Sequence, residues 1–249
     1  MGKLVMDKKR TQVLGYPIDL TTKEDALKRV TTVQDFMQIV TINPEMIEFA
    51  QKNQEFSQIL KDADLIIPDG VGVKLALKFR KVNQEQIAGC DFAKDIIKNA
   101  ALNGEKIALL GAKEDVLSLC AEKLSKEFPQ LDIAYKRNGY FSNDDENQII
   151  EEIKQSGAKY LFVALGSPKQ EFFIKKCKDY GCKIRAIGVG GSFDVWSGLT
   201  QRAPEIWQKL GLEWLYRTIK QPQRFKRIFP TLPKFLFKVI ITSSRECEK

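Results

Sequence analysis

Asp69 follows an apolar run, Leu65-Ile66-Ile67-Pro68, and precedes Gly70-Val71-Gly72, so a carboxylate is delivered to the mouth of a buried strand with little side-chain bulk around it. A group placed there can take a proton from a bound hydroxyl. The chain contains no histidine, the side chain that most often serves as general base near neutral pH. That absence points to a carboxylate as the base, and Asp69 is the best placed. Other polar and glycine residues fall at equivalent positions after apolar runs: Thr41 and Asn43, Gly111, the segment Gly166-Ser167-Pro168-Lys169-Gln170, and the segment Gly188-Val189-Gly190-Gly191-Ser192-Phe193-Asp194. Glycines there let a diphosphate approach the backbone and bind N–H groups at helix amino termini.

Each of these residues also has a purely structural reading. Asn43-Pro44, Asp69-Gly70 and Ser167-Pro168 fit helix N-caps, and Ser167 to Gln170 fits a capping box in which Gln170 reaches back to the Ser167 backbone. Neither Gly70-Val71-Gly72 nor Gly188-Val189-Gly190-Gly191 continues as the G-x-G-x-x-G dinucleotide fingerprint, and no P-loop motif occurs. A nicotinamide oxidoreductase and a P-loop enzyme are therefore disfavoured. Asp62-Ala63-Asp64 matches the D-x-D pattern by which many sugar transferases hold a metal-bound nucleotide, but it precedes its strand instead of following it. It reads as the polar start of a strand, and no obligatory metal is expected.

These residues need a scaffold that brings strand ends together. Up to about residue 190, short apolar runs alternate with longer amphipathic ones, the pattern of parallel βαβ units. Strands are expected over Met37–Ile42, Leu65–Ile67, Lys106–Leu110, Leu131–Tyr135, Tyr160–Leu165 and Lys183–Val189, with helices over Pro44–Gln54, Asp91–Ala101, Glu114–Phe128, Asp144–Gln155 and Pro168–Tyr180. The fold class is α/β: a Rossmann-like, mostly parallel sheet flanked by helices. In such a sheet, ligands bind beyond the carboxyl ends of the strands, where the candidate residues lie. At 249 residues and 43% hydrophobic, the chain is long enough to bury a sizeable core.

The composition changes near Thr200. From there to Lys249 eleven Lys and Arg stand against four Glu, which accounts for seven of the eight net positive charges of the chain. Prolines at 222, 230 and 233 divide this stretch into short helical pieces, and Leu232, Phe235, Leu236, Val239 and Ile240 fall on one helical face. The expected organisation is a catalytic core over residues 1–199 and a basic, amphipathic appendage over 200–249. A helix that merely packs on the core needs no such density of Arg and Lys, whereas one lying on anionic lipid uses both features. Nucleic acid is the rival partner. It gives no role to the polar cluster at the strand ends, so no nucleic-acid partner is expected. The five cysteines are scattered and form no C-x-x-C pair, as in a reduced, cytosolic protein. No secretory signal or membrane-spanning stretch is read from the sequence.

The ordered set of motifs resembles the WecG/TagA/CpsF glycosyltransferases of bacterial envelope polysaccharide synthesis. The matching segments are Thr41-Ile42-Asn43-Pro44-Glu45, Pro68-Asp69-Gly70-Val71-Gly72, Leu165 to Glu171, Gly188 to Asp194, and Arg202-Ala203-Pro204 with Gly211 to Arg217. The resemblance implies transfer of N-acetylmannosamine from UDP-ManNAc to undecaprenyl-diphosphate-linked GlcNAc, forming the disaccharide on which wall teichoic acid is built. Related members use other UDP-sugars, including N-acetylmannosaminuronic acid. It further implies a metal-independent, inverting enzyme with no cofactor, peripheral on the inner face of the cell membrane through contact with anionic lipid. By position, Asp69 resembles the base, and Thr41, Asn43 and Gln170 resemble pocket residues. Gly70, Gly111, Ser167, Lys169, Gly190, Gly191, Ser192, Phe193 and Asp194 are candidate substrate-binding residues. Arg202, Arg217, Arg224 and Arg227 are candidates for phosphate or membrane contact. One departure stands out: many members carry an arginine shortly before a Gly-x-Asp, and Gln86 occupies that position here. The sequence leaves room for a homo-oligomer.

Overall fold

The computed structural model describes residues 9–204, 206–207, 213–220 and 225–247. In chain order the elements are β1 (Arg10–Val13), β2 (Tyr16–Asp19), α1 (Lys23–Thr32), β3 (Met37–Ile42), α2 (Pro44–Ala50), α3 (Gln54–Asp62), β4 (Leu65–Pro68), α4 (Gly70–Phe79), α5 (Gly89–Leu102), β5 (Lys106–Gly111), α6 (Glu114–Glu127), β6 (Asp132–Arg137), α7 (Glu146–Gln155), β7 (Tyr160–Ala164), α8 (Lys169–Asp179), β8 (Arg185–Gly188), α9 (Ser192–Trp196), α10 (Glu213–Lys220) and α11 (Phe225–Cys247). Six strands form one sheet in the order β4-β3-β8-β7-β5-β6, and every pairing within it is parallel. All six carboxyl ends therefore lie along one edge.

Strands buried on both faces must be apolar throughout, and β4 and β7 are buried at every residue. Alternate residues serve opposite layers. Ile39, Ile67, Leu109, Phe162 and Ile187 pack with α1, α5, α6 and α9. Val40, Ile42 and Ile66 pack with α2, α3, α4 and α11, while Leu110, Leu161, Val163 and Ala186 pack with α7 and α8. The result is a three-layer α/β/α sandwich, as the alternation of the sequence predicts.

The antiparallel hairpin β1–β2 covers the exposed side of edge strand β4. The Asp19 carboxylate accepts hydrogen bonds from Arg10 Nη2 at 3.0 Å, Arg29 Nη1 at 3.0 Å and the backbone N–H of Ile66 at 2.8 Å. An edge N–H is thus satisfied by a side chain. Cys120, Cys177 and Cys182 are buried and form no disulfide. Burial pushes the Cys120 thiol up to about 12, which leaves it inert as a nucleophile.

The carboxy-terminal segment departs from the expected short pieces. Pro230 and Pro233 lie inside one helix, α11, of 23 residues. Packing offsets the backbone bonds that the prolines cannot make: Phe235 and Val239 are buried against α2 and α4, and Lys238 Nζ donates to Glu48 Oε1 of α2 at 2.7 Å. The opposite side of α11 exposes Phe229, Phe237, Ile240 and Ile241. Phe235 and Val239, on the apolar face that the sequence offers to lipid, are therefore packed on the core instead, and of that set Ile240 lies toward the outer side. Among the described residues no helix is long and apolar enough to cross a membrane.

Candidate active site

Thr41, Asn43 and Asp69 are brought together by strand register. Thr41 pairs with Ile67 and Ile42 with Pro68, and the Asp69 N–H donates to the Ile42 carbonyl at 2.9 Å. Asn43 and Asp69 therefore leave adjacent strands side by side. Asn43 Oδ1 accepts from the Met46 N–H at 3.0 Å, with Pro44 at the first helical position, so its capping reading is realised. Asp69 also stands at an N-cap position, that of α4, yet makes no side-chain capping bond. Its partly buried carboxylate is not spent on the helix. Gly70 then turns the chain at φ +77°, a conformation that strains any side chain with a Cβ.

The segment before α5 closes over this corner. Ile87 N–H donates to the Pro68 carbonyl at 3.1 Å, which sets Gln86 close to Asp69 in the chain path. A Cβ at Gly89 would lie 2.8 Å from Thr41 Cγ2 and 3.2 Å from Thr41 Oγ1, so α5 begins in contact with Thr41. Arg202 pairs with Asp91 of the first turn of α5 and so reaches the same corner. Arg224 lies outside the described residues, as do the side chains of Arg217 and Arg227.

A second group forms where β7 and β8 end. Ser167 and Lys169 are exposed, and the Ser167–Pro168 peptide is cis. The expected capping box is absent: α8 starts after Pro168 without a side-chain cap. Gln170 instead turns inward, where Oε1 accepts from the Gly190 N–H at 3.0 Å and Nε2 donates to Glu171 Oε1 at 2.8 Å. The residue before α8 is Pro168, and the N–H that the Gln170 oxygen meets belongs to the β8–α9 loop. Ser192 Oγ donates to the Val189 carbonyl at 2.7 Å, Asp194 is partly buried, and Gly190 and Gly191 line the edge. Phe193 is wholly buried beside Trp196, ring centroids 5.7 Å apart, and its side chain belongs to the core.

At the end of β5, Gly111 has φ +120°, and a Cβ there would lie 2.5 Å from the Ala164 carbonyl oxygen. Gly139 closes over it, and a Cβ at that position would lie 3.2 Å from Gly111 Cα. Beside this floor opens a cavity of about 310 Å³ lined by Glu114, Tyr135, Arg137, Asn138, Tyr140 and Glu152. Tyr135 Oη donates to Glu152 Oε2 at 2.9 Å, and Asn138 Nδ2 donates to Glu114 Oε2 at 2.8 Å. Burial, with Glu152 next, pushes the Tyr135 phenol above its ordinary value.

The aspartates of Asp62-Ala63-Asp64 lie at the other end of the sheet. Asp64 Oδ2 accepts from the Gln38 N–H at 2.9 Å and Asp62 Oδ1 from Gln58 Nε2 at 2.8 Å. They finish the start of a strand and the end of a helix. Among the described residues no cluster of three or more Cys, Asp or Glu side chains is arranged to hold a metal ion.

The order of these motifs along one sheet edge agrees with a known family. The model of the glycosyl transferase WecG/TagA/CpsF family matches residues 11–248. The chain belongs to this family. Two relatives are named N-acetylglucosaminyldiphosphoundecaprenol N-acetyl-beta-D-mannosaminyltransferase. That of Bacillus spizizenii is 36% identical over 203 residues, and that of Bacillus subtilis 37% identical over 203 residues; each alignment covers 81% of this chain and 78% of the relative. Within this WecG/TagA/CpsF chain, the candidate site contains residues to which the sequence points weakly. Glu171 ends a matching segment that gives it no role of its own, and Gly188 reads as part of a glycine-rich turn. A helical period would have placed Gln170 inside, since Gln170, Ile174 and Cys177 recur at i, i+4 and i+7 and all three are buried.

Proposed function

We propose that this chain transfers N-acetylmannosamine from UDP-ManNAc to the GlcNAc of undecaprenyl-diphosphate-linked GlcNAc, the disaccharide step of the wall teichoic acid linkage unit, with inversion at the anomeric carbon. The observation that carries the chemistry is Asp69: a carboxylate at the carboxyl edge of an all-parallel sheet, leaving its strand beside Thr41 and Asn43, in a chain without histidine. The names of the two relatives support the acceptor and the transferred sugar.

In this reading an acceptor-sugar hydroxyl attacks the anomeric carbon in line. The new C–O bond forms as the bond to the diphosphate oxygen breaks, the hydroxyl proton passes to Asp69, and UDP leaves. Positioned acid–base groups of this kind contribute roughly 10²- to 10⁴-fold. Thr41 and Asn43 shape the pocket beside Asp69. The donor lies along Gly70, Gly111, Ser167, Lys169, Gly190, Gly191, Ser192 and Asp194, and its nucleoside takes the cavity beside Gly111, whose volume of about 310 Å³ suits a small-molecule site. Charge on the leaving diphosphate is balanced by arginines, with Arg202 held nearby through Asp91 and Arg217, Arg224 and Arg227 supplied by the carboxy-terminal region. With Gln86 in place of the arginine, one of these arginines or Arg80 supplies the positive charge. No metal or cofactor is required.

Residues 200–249 dock the enzyme on the inner face of the cell membrane. The outer face of α11, with Phe237 66% exposed beside Ile240 and Ile241, and the seven net positive charges of this region support that reading, because interfacial helices combine the two. The deciding experiment offers the full chain a short-chain polyprenyl-diphosphate-GlcNAc and a panel of UDP-sugars, and reads product masses. A product heavier by one N-acetylhexosamine, formed only with UDP-ManNAc, is expected; no transfer from any UDP-sugar would reject the assignment.

A further inference from the structure

Gln170 is 5% exposed, and both polar atoms of its amide are engaged within the protein. The two ends of a primary amide are nearly the same size, so its neighbours decide which way it faces. Here Glu171, 3% exposed, presents an acceptor, and Gln170 Nε2 must turn toward it, at 2.8 Å from Glu171 Oε1. That leaves Oε1 toward the Gly190 N–H, 3.0 Å away. Glu171 Oε1 is the oxygen that meets the amide, while Glu171 Oε2 is buried without a hydrogen-bond partner. The amide lies directly on the backbone of β8, since a Cβ at Gly188 would come within 2.3 Å of Gln170 Nε2 and 2.6 Å of Cδ. Only glycine leaves that seat open. The β7–α8 loop, the first turn of α8 and the β8–α9 loop are thereby fastened at the mouth between two strands.

We propose that Glu171 is a positioning residue for the transfer reaction: it fixes the orientation of the Gln170 amide, seated on Gly188, so that the amide holds the Gly190–Gly191 backbone at the edge where the donor binds. The inference rests on reading this edge as the active site. It gives Gln170 an internal duty, in place of contact with substrate through both ends of its amide.

The test uses the full chain and two readouts, amide hydrogen exchange at Gly190 and the kinetics of transfer from UDP-ManNAc to the short-chain acceptor. Glu171→Ala removes the acceptor, and Gln170→Glu sets two carboxylates against each other. Each is expected to speed Gly190 exchange and to lower kcat by about tenfold or more, the scale of one hydrogen bond to a charged group. The double change Gln170→Glu with Glu171→Gln reverses the direction of the inner hydrogen bond while keeping an acceptor on Gly190 and the same net charge. It is expected to restore slow exchange and to recover most of kcat. Gly188→Ala should mimic Glu171→Ala, and its effect on exchange should vanish when combined with Gln170→Ala, which empties the seat. Unchanged Gly190 exchange in Glu171→Ala, or a double swap as fast-exchanging as Gln170→Glu alone, overturns the proposal. Recovery of slow exchange without recovery of kcat also overturns it, since the positioning would then be irrelevant to turnover. If the wild-type chain transfers nothing, the proposed function falls, and the exchange rates alone judge whether Glu171 holds the loop.

Discussion

Gly72 of α4 is wedged between Pro44 of α2 and Leu232 of α11: a Cβ there would lie 2.5 Å from Pro44 Cγ and 2.8 Å from Leu232 Cδ1. The helix that begins at Asp69 is thus pressed against the carboxy-terminal helix at a point where no side chain fits. Gly72→Ala is expected to destabilise by about 1–3 kcal/mol, as overpacking does, because a proline ring cannot swing aside. Urea unfolding measures this, and proteolysis of α11 at concentrations where the core stays intact shows whether the helix has lifted. An unchanged midpoint together with unchanged proteolysis would mean that the three elements adjust freely.

Asp69→Asn keeps the shape of the side chain and removes its basicity. Turnover should fall by roughly 10²- to 10⁴-fold, while UDP affinity stays within a few-fold of wild type. Asn43→Ala loses the cap on the Met46 N–H and should cost about 1 kcal/mol of stability. If the activity lost in Asn43→Ala is no more than the folded fraction lost, Asn43 is a cap and nothing else.

The sheet was legible because strands buried on both faces read as unbroken apolar runs, and all six proposed strands are present. Less legible was whatever depends on partners distant in sequence. The hairpin residues Arg10 to Val13 form no apolar run; their place is set by Asp19, which also binds Arg29 and the Ile66 N–H. Gly70-Val71-Gly72 reads as a glycine-rich turn after a possible N-cap, with no helix expected over the residues that follow, yet it opens the ten-residue α4, since the glycines answer to a tight turn and to Pro44 and Leu232. The prolines at 230 and 233 suggest broken pieces because their lost bonds are local, whereas the burial of Phe235 and Val239 that sustains α11 is not. At the candidate site, the meeting of Thr41, Asn43 and Asp69 at adjacent strand ends could be read from the strands alone. The pairing of Gln170 with Gly190 and Glu171 could not, because a capping box and an inward hydrogen bond demand the same residue types.

Metal independence is open to a direct check. Asp64 and Asp62 are occupied by the Gln38 N–H and by Gln58 at the edge opposite Asp69, so the D-x-D pair is not placed to present a nucleotide-bound cation there. Transfer is expected to continue in excess EDTA at a rate within about twofold of the untreated enzyme, well short of the tenfold that 1.36 kcal/mol of barrier represents. Loss of activity in chelator with recovery on Mg²⁺ or Mn²⁺ would sink this part of the mechanism.

The Glu171 carboxyl is held above its ordinary value of 4.5, chiefly by burial, against the hydrogen bond from Gln170 that pulls it down. The folded state thus favours the protonated form. Its contribution to stability is fully present below the ordinary value and is lost as pH rises through the raised one. Glu171→Gln has no such proton to lose. The melting temperature of the variant minus that of wild type should therefore shift in favour of the variant as pH rises above the ordinary value of 4.5. A difference that stays flat as pH rises would show that burial does not penalise this carboxylate.

The two faces of α11 give opposite expectations for the membrane. Phe235 is wholly buried and Phe237 is 66% exposed, so truncating the first should cost about 3–5 kcal/mol while the second contributes little to folding. Near an anionic bilayer the outer face gains by burying apolar rings below the headgroups, and each nearby Lys or Arg adds about 1 kcal/mol. Phe237→Glu with Ile241→Glu inverts that face without touching the packed one. The double variant should melt within a few degrees of wild type, cease to sediment with phosphatidylglycerol vesicles, and lose turnover of acceptor embedded in those vesicles. Phe235→Ala should instead lower the melting temperature. A double variant that sediments with vesicles as wild type does would show that the outer face of α11 is not the surface that meets lipid.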